Sequence, residues 1–347
     1  MAILKRTIVA ICLIILSAQA PLAKSNPLTF ESVLERLLDN HRVINVVDDF
    51  FVFWDQAKDE PLSVQRRLWK RLVENKHHDY FDRAVYRTAD PKTRRALLDE
   101  FLIRVPSQVE AMRQFNKSIT DLGTSPLVEA VIFFKARFRE YHQQQDIYIG
   151  LSMFRFDGAV RPVSNEAGVP DTLCLGAEVL SSYTREQTRI AVAHEFFHLY
   201  HFGFLFQQSQ NQQSDFRAAH VPLMLEGMAA AGAEEVFPYQ SREMYLHFDK
   251  EELAAQEQDL AQNAGRFLDM IRWGASPQQY EAWFTKSHSG DAPSRGGYLL
   301  GYEATRRVMS TYTLEQMVRM TPAELRQHSE EELESMAGGG VLLMASR

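Results

Sequence analysis

Residues 184–202 read TREQTRIAVAHEFFHLYHF. Thr184 and Gln187 have the spacing of a capping box, which starts a helix there. Ile190, Val192, Phe196 and Phe197 give that helix apolar packing. Inside it stands His194-Glu195-Phe196-Phe197-His198. Positions 194 and 198 lie one turn apart on one face, so two imidazoles can share one zinc ion. Glu195 is offset around the helix, where its carboxylate can reach a water on the open side of the metal and take its proton. A surface helix carrying two unrelated histidines would not need four large apolar neighbours.

A zinc that does chemistry commonly has three protein ligands and an open fourth position. Glu226, in the stretch PLMLEGMAAAGAEEV at 222–236, is the preferred third ligand. It lies 28 positions after His198, on a separate predicted helix that Gly227, Ala229, Ala230, Ala231 and Gly232 make thin enough for close approach. Its neighbours are nearly all apolar, which makes a carboxylate without a partner expensive. His201 extends the histidine stripe, but the rise of the helix makes it hard for 194, 198 and 201 to close on one ion. Hydrogen bonding behind a ligand, or packing, suits it better. His220 is a lesser candidate. Of Glu234 and Glu235, one is expected behind a histidine and the other exposed.

Before this segment, from residue 28 to about 140, apolar residues recur at three and four, as in Phe30, Val33, Leu34, Leu37 and Leu38. That is helical spacing, broken at Pro61, Pro91, Pro106 and Pro126, and it predicts six or seven helices. Residues 147–155, IYIGLSMFR, alternate and read as a strand. Residues 156–171 read as a loop, and TLCLGAEVL at 172–180 as a second strand. After the histidine helix come a polar loop at 207–215, helices over 221–236 and 242–272, and a loop over 288–297. Three last helices follow at about 298–311, 313–319 and 322–337. The fold class is therefore mainly α with a small β-sheet, α+β. A helical N-terminal region covers 24–140, the region carrying the site 141–337, and a flexible tail 338–347.

Composition bounds the rest. The chain has 347 residues, 45% hydrophobic and 24% charged, which are globular values. A net charge of -7 argues against a nucleic-acid partner, and no Walker-type phosphate loop supports a nucleotide. Cys12 and Cys174 are the only cysteines, too few for a disulfide framework or an all-cysteine zinc site. Residues 1–23, MAILKRTIVAICLIILSAQAPLA, place Lys5 and Arg6 before a short apolar run and then small residues. This is the layout of a signal peptide, and the run is short of the roughly 20 residues that a membrane span needs. The expectation is an exported protein, periplasmic or secreted, with no span in the mature chain. An uncleaved N-terminal anchor is the other reading.

HEFFH at 194–198 followed by LEGMA at 225–229 resembles the gluzincin metallopeptidases, the thermolysin-like zincins with glutamate as third ligand. It is more closely similar to uncharacterised bacterial predicted zinc-dependent proteases with H-E-x-x-H, then E-G-x-A, then a late G-Y-x-x-G-Y, here Gly297 to Tyr302. The resemblance covers about 126–325. It implies a zincin-like region, one zinc per chain held by His194, His198 and Glu226, and a peptide or protein substrate hydrolysed with Glu195 as general base. It also implies a strand near the motif along which an extended peptide lies, matched here by TLCLGAEVL, and Tyr298 as an oxyanion donor. Core packing is the plainer role for Tyr298 and Tyr302. Thermolysin-like enzymes carry an acid four residues after the ligand glutamate; Ala230 stands there, so a histidine must be oriented from elsewhere. Two other classes are a zinc-bearing envelope binding or adhesion protein, and a hydrolase of a non-peptide amide. Glu195 favours catalysis, since zinc binding alone does not need it.

Overall fold

Capping residues and prolines cut the first hundred residues into helices where the sequence expects them. The computed structural model describes residues 29–143, 145–164, 171–208, 218–285 and 293–338. Residues 1–23, with the signal-peptide layout read from them, most of the two later loops and most of the tail lie outside the described residues. Thr29 opens α1 (Phe30–Leu37) with a capping box, and Asn45 caps α2 (Val46–Ala57). Helix α3 (Leu62–Trp69) starts after Pro61 and runs into a π-helical turn at Lys70–Glu74; a second π-helical segment covers Tyr80–Tyr86. Asp90 and Ser125 accept from the first-turn amides of α4 (Pro91–Arg104) and α6 (Pro126–Arg137), each with proline in its first turn. Helix α5 (Val109–Ile119) lies between them.

The contacts divide the chain into two compact units, one ending at Phe196 and the other starting at Phe197. The first holds these helices and a four-stranded sheet of β1 (Val43–Asn45), β2 (Ile147–Gly150), β3 (Gly158–Arg161) and β4 (Thr172–Gly176). The order is β1-β2-β4-β3, with β1, β2 and β4 parallel and β3 antiparallel on β4. Two of these strands were not expected. β1 is three residues long and exists through distant pairing, Val43 with Ile147, tied by the Arg42 amide and guanidinium donating to Asp146 at 2.7 Å each. β3 falls in the stretch read as a loop. The two expected strands are also shorter, because the chain turns after Gly150 and winds into a helical turn at Ala177–Leu180.

An aromatic cluster of Phe50, Phe53, Trp69, Phe81 and Phe101, all 1% exposed or less, packs the helices of this unit. Neighbouring rings stand 5.3–6.0 Å apart. Each such side chain stabilises by about 1.5–3 kcal/mol. The second unit contains α8 (His220–Val236), α9 (Lys250–Gln258), α10 (Leu260–Trp273), α11 (Gly296–Val308) and α12 (Pro322–Ala337). Its main pairings are α8 with α11 and α10 with α12. The protein is thus mainly helical with a small mixed sheet. No helix among the described residues is long and apolar enough to cross a membrane.

The turn after β2 is held by one buried carboxylate. Met153 and Phe154 adopt positive φ of 54° and 61°, which costs non-glycine residues roughly 1–2 kcal/mol each. Glu178 accepts from the Ser152 amide, the Ser152 hydroxyl and the Phe154 amide, all at 2.8 Å. Burial outweighs these bonds and raises the Glu178 carboxyl above its ordinary 4.5. The raised group contributes most below that value and its contribution is lost as pH rises through the folded pKa. Glu178→Gln keeps the accepting oxygen without the charge. In urea unfolding from pH 4 upward, the stability of the variant relative to wild type should therefore increase with pH. Parallel profiles would remove Glu178 as the titrating group.

Candidate metal centre

The capping box at 184–187 forms as expected. The Gln187 amide donates to Thr184 Oγ1 at 3.2 Å, and the Thr184 amide to Gln187 Oε1 at 2.8 Å. They start α7 (Arg185–Gln208). Glu129 of α6 then pins its first turn. Arg189 Nη1 stands 2.9 Å and Arg185 Nη2 2.7 Å from its two oxygens. Glu129 and Arg189 are 5% and 4% exposed in their side chains. Removing one partner of such a buried pair costs about 3–5 kcal/mol through the charge left behind. Two turns further on, Phe196 packs on Phe134 at 5.6 Å and on Tyr141 at 5.8 Å. The helix therefore enters the motif with both its start and its apolar face fixed.

His194, Glu195 and His198 are 6%, 8% and 7% exposed. One donor atom from each lies within 4.8 Å of the other two. His198 Nε2 is 3.4 Å from Glu226 Oε2, on α8. The chemistry of this set fits zinc. Bonds of about 2.1 Å to nitrogen and oxygen in a tetrahedron leave neighbouring donors about 3.4 Å apart, which is the separation of His198 and Glu226.

His201 is fully buried and is not among these donors. Its ring lies 6.3 Å from Phe197, and burial, with His198 nearby, pulls its pKa down to about 3, so the imidazole is neutral. Packing is its role. His220 is the buried first residue of α8. Glu234 accepts from the Tyr302 hydroxyl at 2.8 Å and lies 3.4 Å from Arg306 Nη1. Glu235 is half-buried, so neither glutamate is exposed. Ala230 is fully buried and brings no carboxylate. Tyr298 sits in the first turn of α11, 5.8 Å from the Phe284 ring and under the Arg295 guanidinium at 4.7 Å.

The strand matched to the expected peptide-binding strand, β4, is internal to the sheet. β4 pairs with β2 on one side and β3 on the other, so its edges are used. The sheet edge on this side belongs to β3, and the opposite edge to β1. Gly158, the first residue of β3, lies directly against Glu195: a Cβ there would stand 2.5 Å from Glu195 Cγ and 3.1 Å from Oε1. Sequence reading missed this contact, because Gly158 looks like any loop glycine. Farther along β3, burial lowers the Arg161 guanidinium while the Glu195 carboxylate acts to raise it.

A family model described as "Predicted Zn-dependent protease (DUF2268)" matches residues 142–327. The chain belongs to this family. The matched segment contains the HEFFH helix, Glu226 and the late Gly-Tyr pairs. No curated protein and no solved structure matches the chain.

The small residues beside Glu226 have a steric cause. A Cβ on Gly227 would run into the carbonyl of Gly301, and one on Gly301 into the carbonyl of Leu223. Helices α8 and α11 thus cross backbone to backbone, next to the carboxylate in question. Gly227→Ala should cost about 1–3 kcal/mol by overpacking. At about 2–4 °C per kcal/mol, calorimetry should show melting lowered by several degrees. A melting temperature equal to wild type would mean that the crossing tolerates a methyl group.

Proposed function

We propose that the protein is an exported zinc-dependent peptidase of the gluzincin type, with one zinc per chain. The observation that carries this reading is the buried set His194, Glu195 and His198 on one helix, with Glu226 at 3.4 Å from His198. His194, His198 and Glu226 would hold the ion. Zinc so held supplies Lewis-acid polarisation of a carbonyl and lowers the pKa of water towards neutrality.

The remaining work falls to side chains of this chain. Glu195, whose Cγ would crowd a Cβ on Gly158, is set between the helix and the sheet edge. It takes a proton from the attacking water and returns it to the leaving amine nitrogen. An extended peptide would add to the open edge of β3 through main-chain hydrogen bonds, which brings its carbonyls beside Glu195. Tyr302 is engaged with Glu234, which leaves Tyr298 as the tyrosine proposed to donate to the oxyanion. Export follows from the layout of residues 1–23, and the substrate is a peptide or protein.

Elemental analysis tests the metal. One zinc per chain is expected in wild type, sharply reduced in His194→Ala and in Glu226→Ala. Glu195→Gln should keep the zinc and lose at least about a thousandfold in turnover of a peptide library, more than the 10²–10⁴ typical of lost acid–base help at its lower end. Wild-type cleavage by that variant would end the base assignment. A folded wild type that takes up no zinc when zinc is supplied would end the enzyme reading. Gly158→Val should keep zinc and slow turnover, since only the Glu195 side chain must move.

A further inference from the structure

The segment between Leu62 and Arg104 carries eleven lysines and arginines against six acids, a net charge of +5 in a chain of net charge -7. Part of this excess converges on one open groove of about 500 Å³ in the first unit. Arg66, Arg67, Lys70, Arg94, Arg95 and Tyr86 are among its lining residues.

The cations fall into two groups. Arg66 and Arg94 are fixed within the fold. Arg66 grips Asp99 with two bonds of 2.5 and 2.9 Å, and Arg94 donates to Asp82 at 2.6 Å and to the Thr88 carbonyl at 2.5 Å. The other three are paired weakly or not at all. Arg67 donates to the Ser63 carbonyl at 3.2 Å. Arg95 reaches only 4.0 Å from Asp99, which Arg66 already holds. Lys70 has no ion pair among the described residues. Glu74 also lines the groove, accepts from the Tyr86 hydroxyl at 3.0 Å, and offsets part of this charge. Like charges held this close repel, and the fold does not need them there for packing, since Arg67, Lys70 and Arg95 are exposed.

The backbone beside the groove is also unusual. Lys70 opens one π-helical turn and Tyr86 closes the other. Such turns account for well under 1% of residues and are frequent at functional sites. Two of them bordering one groove are a second observation, independent of charge.

We propose that this groove binds a phosphoryl group carrying at least two negative charges. Arg67, Lys70 and Arg95, set against the one carboxylate of Glu74 in the same lining, leave about two positive charges, more than a single carboxylate ligand can neutralise. A phosphoryl group carries about -1.5 to -2 with three strong acceptor oxygens, and guanidinium forks match its geometry. A nucleic acid is disfavoured, because the positive surface is one small groove in an acidic chain. The phosphoryl group could belong to a free phosphate or to a lipid headgroup, and the chemistry at the groove is the same for both.

The test is calorimetric titration of the purified full chain with inorganic phosphate and pyrophosphate at low salt. Sedimentation with phosphatidylcholine vesicles, plain or containing phosphatidic acid, runs beside it. Tri-glutamate serves as the carboxylate control. Wild type should bind pyrophosphate or the phosphatidic-acid vesicles at least tenfold more tightly than tri-glutamate, with affinity falling as salt rises. Binding of pyrophosphate identifies a free phosphate; binding of acidic vesicles alone identifies a headgroup. Arg67→Ala/Lys70→Ala/Arg95→Ala should lose at least tenfold while melting as wild type does, since all three side chains are exposed. Arg67→Lys/Arg95→Lys keeps the charge and should lose severalfold through the missing forks. The proposal is overturned if wild type binds none of these probes, if the triple alanine variant binds as wild type, or if tri-glutamate binds equally well.

Discussion

Burial of four polar side chains within two turns of α7 is the constraint on which the rest of the structure depends. His194, Glu195, His198 and His201 are all under a tenth exposed. Removing such groups from water costs several kcal/mol unless partners replace the solvent. The fold answers differently at each position. Glu195 is laid against the strand backbone at Gly158, and Glu226 comes to His198 from α8. His201 has no hydrogen-bond partner among the described residues and stays neutral between aromatic neighbours. This division separates the residues that can meet a cation from the one that only fills space. It does so by environment, not by residue type.

Bringing a glutamate to a buried histidine requires that its helix sit close to its neighbours. Helix α8 achieves this by giving up side chains. Gly227 lets the backbone of α11 in at Gly301, and Gly232 leaves room for the Phe197 ring, which lies between the two histidines in sequence. The position of Glu226 is then set by backbone contacts, which are stiffer than side-chain packing. The Tyr302 hydroxyl on Glu234 adds a polar tie between the same two helices. The late Gly-Tyr repeat is accordingly an architectural element for the site. Its glycine carries the crossing, and its second tyrosine locks it.

What could be read from the sequence was what is local. The capping box, the helix that carries HEFFH, the proline-started helices and the thin helix at Glu226 depend on residues within a few positions of one another, and each forms. What could not be read depends on distant partners. Val43 becomes a strand only because Ile147 lies beside it, a hundred residues away, and three residues are too few for an alternating pattern to stand out. Residues 158–161 are two apolar residues between a glycine and an arginine, and nothing in them announces pairing with Leu173 and Cys174. The π-helical turns are equally silent, since their composition is that of ordinary helix.

The strand hidden in the supposed loop is the one that matters most for the site. Had the chain passed from Arg155 to Thr172 without it, β4 would be the sheet edge, as the resemblance implied. With β3 present, the sheet extends one strand further, and Gly158 at its start meets the Glu195 side chain. A glycine is needed there because any Cβ would take the volume of the carboxylate's own stem. Glu195 thereby gains a fixed wall on the sheet side while its helix supplies the other. A side chain with three rotatable bonds loses much of its freedom when confined in this way. That ordering is completed on folding, and a carboxylate held so by strand and helix needs little rearrangement to meet a group at its open side.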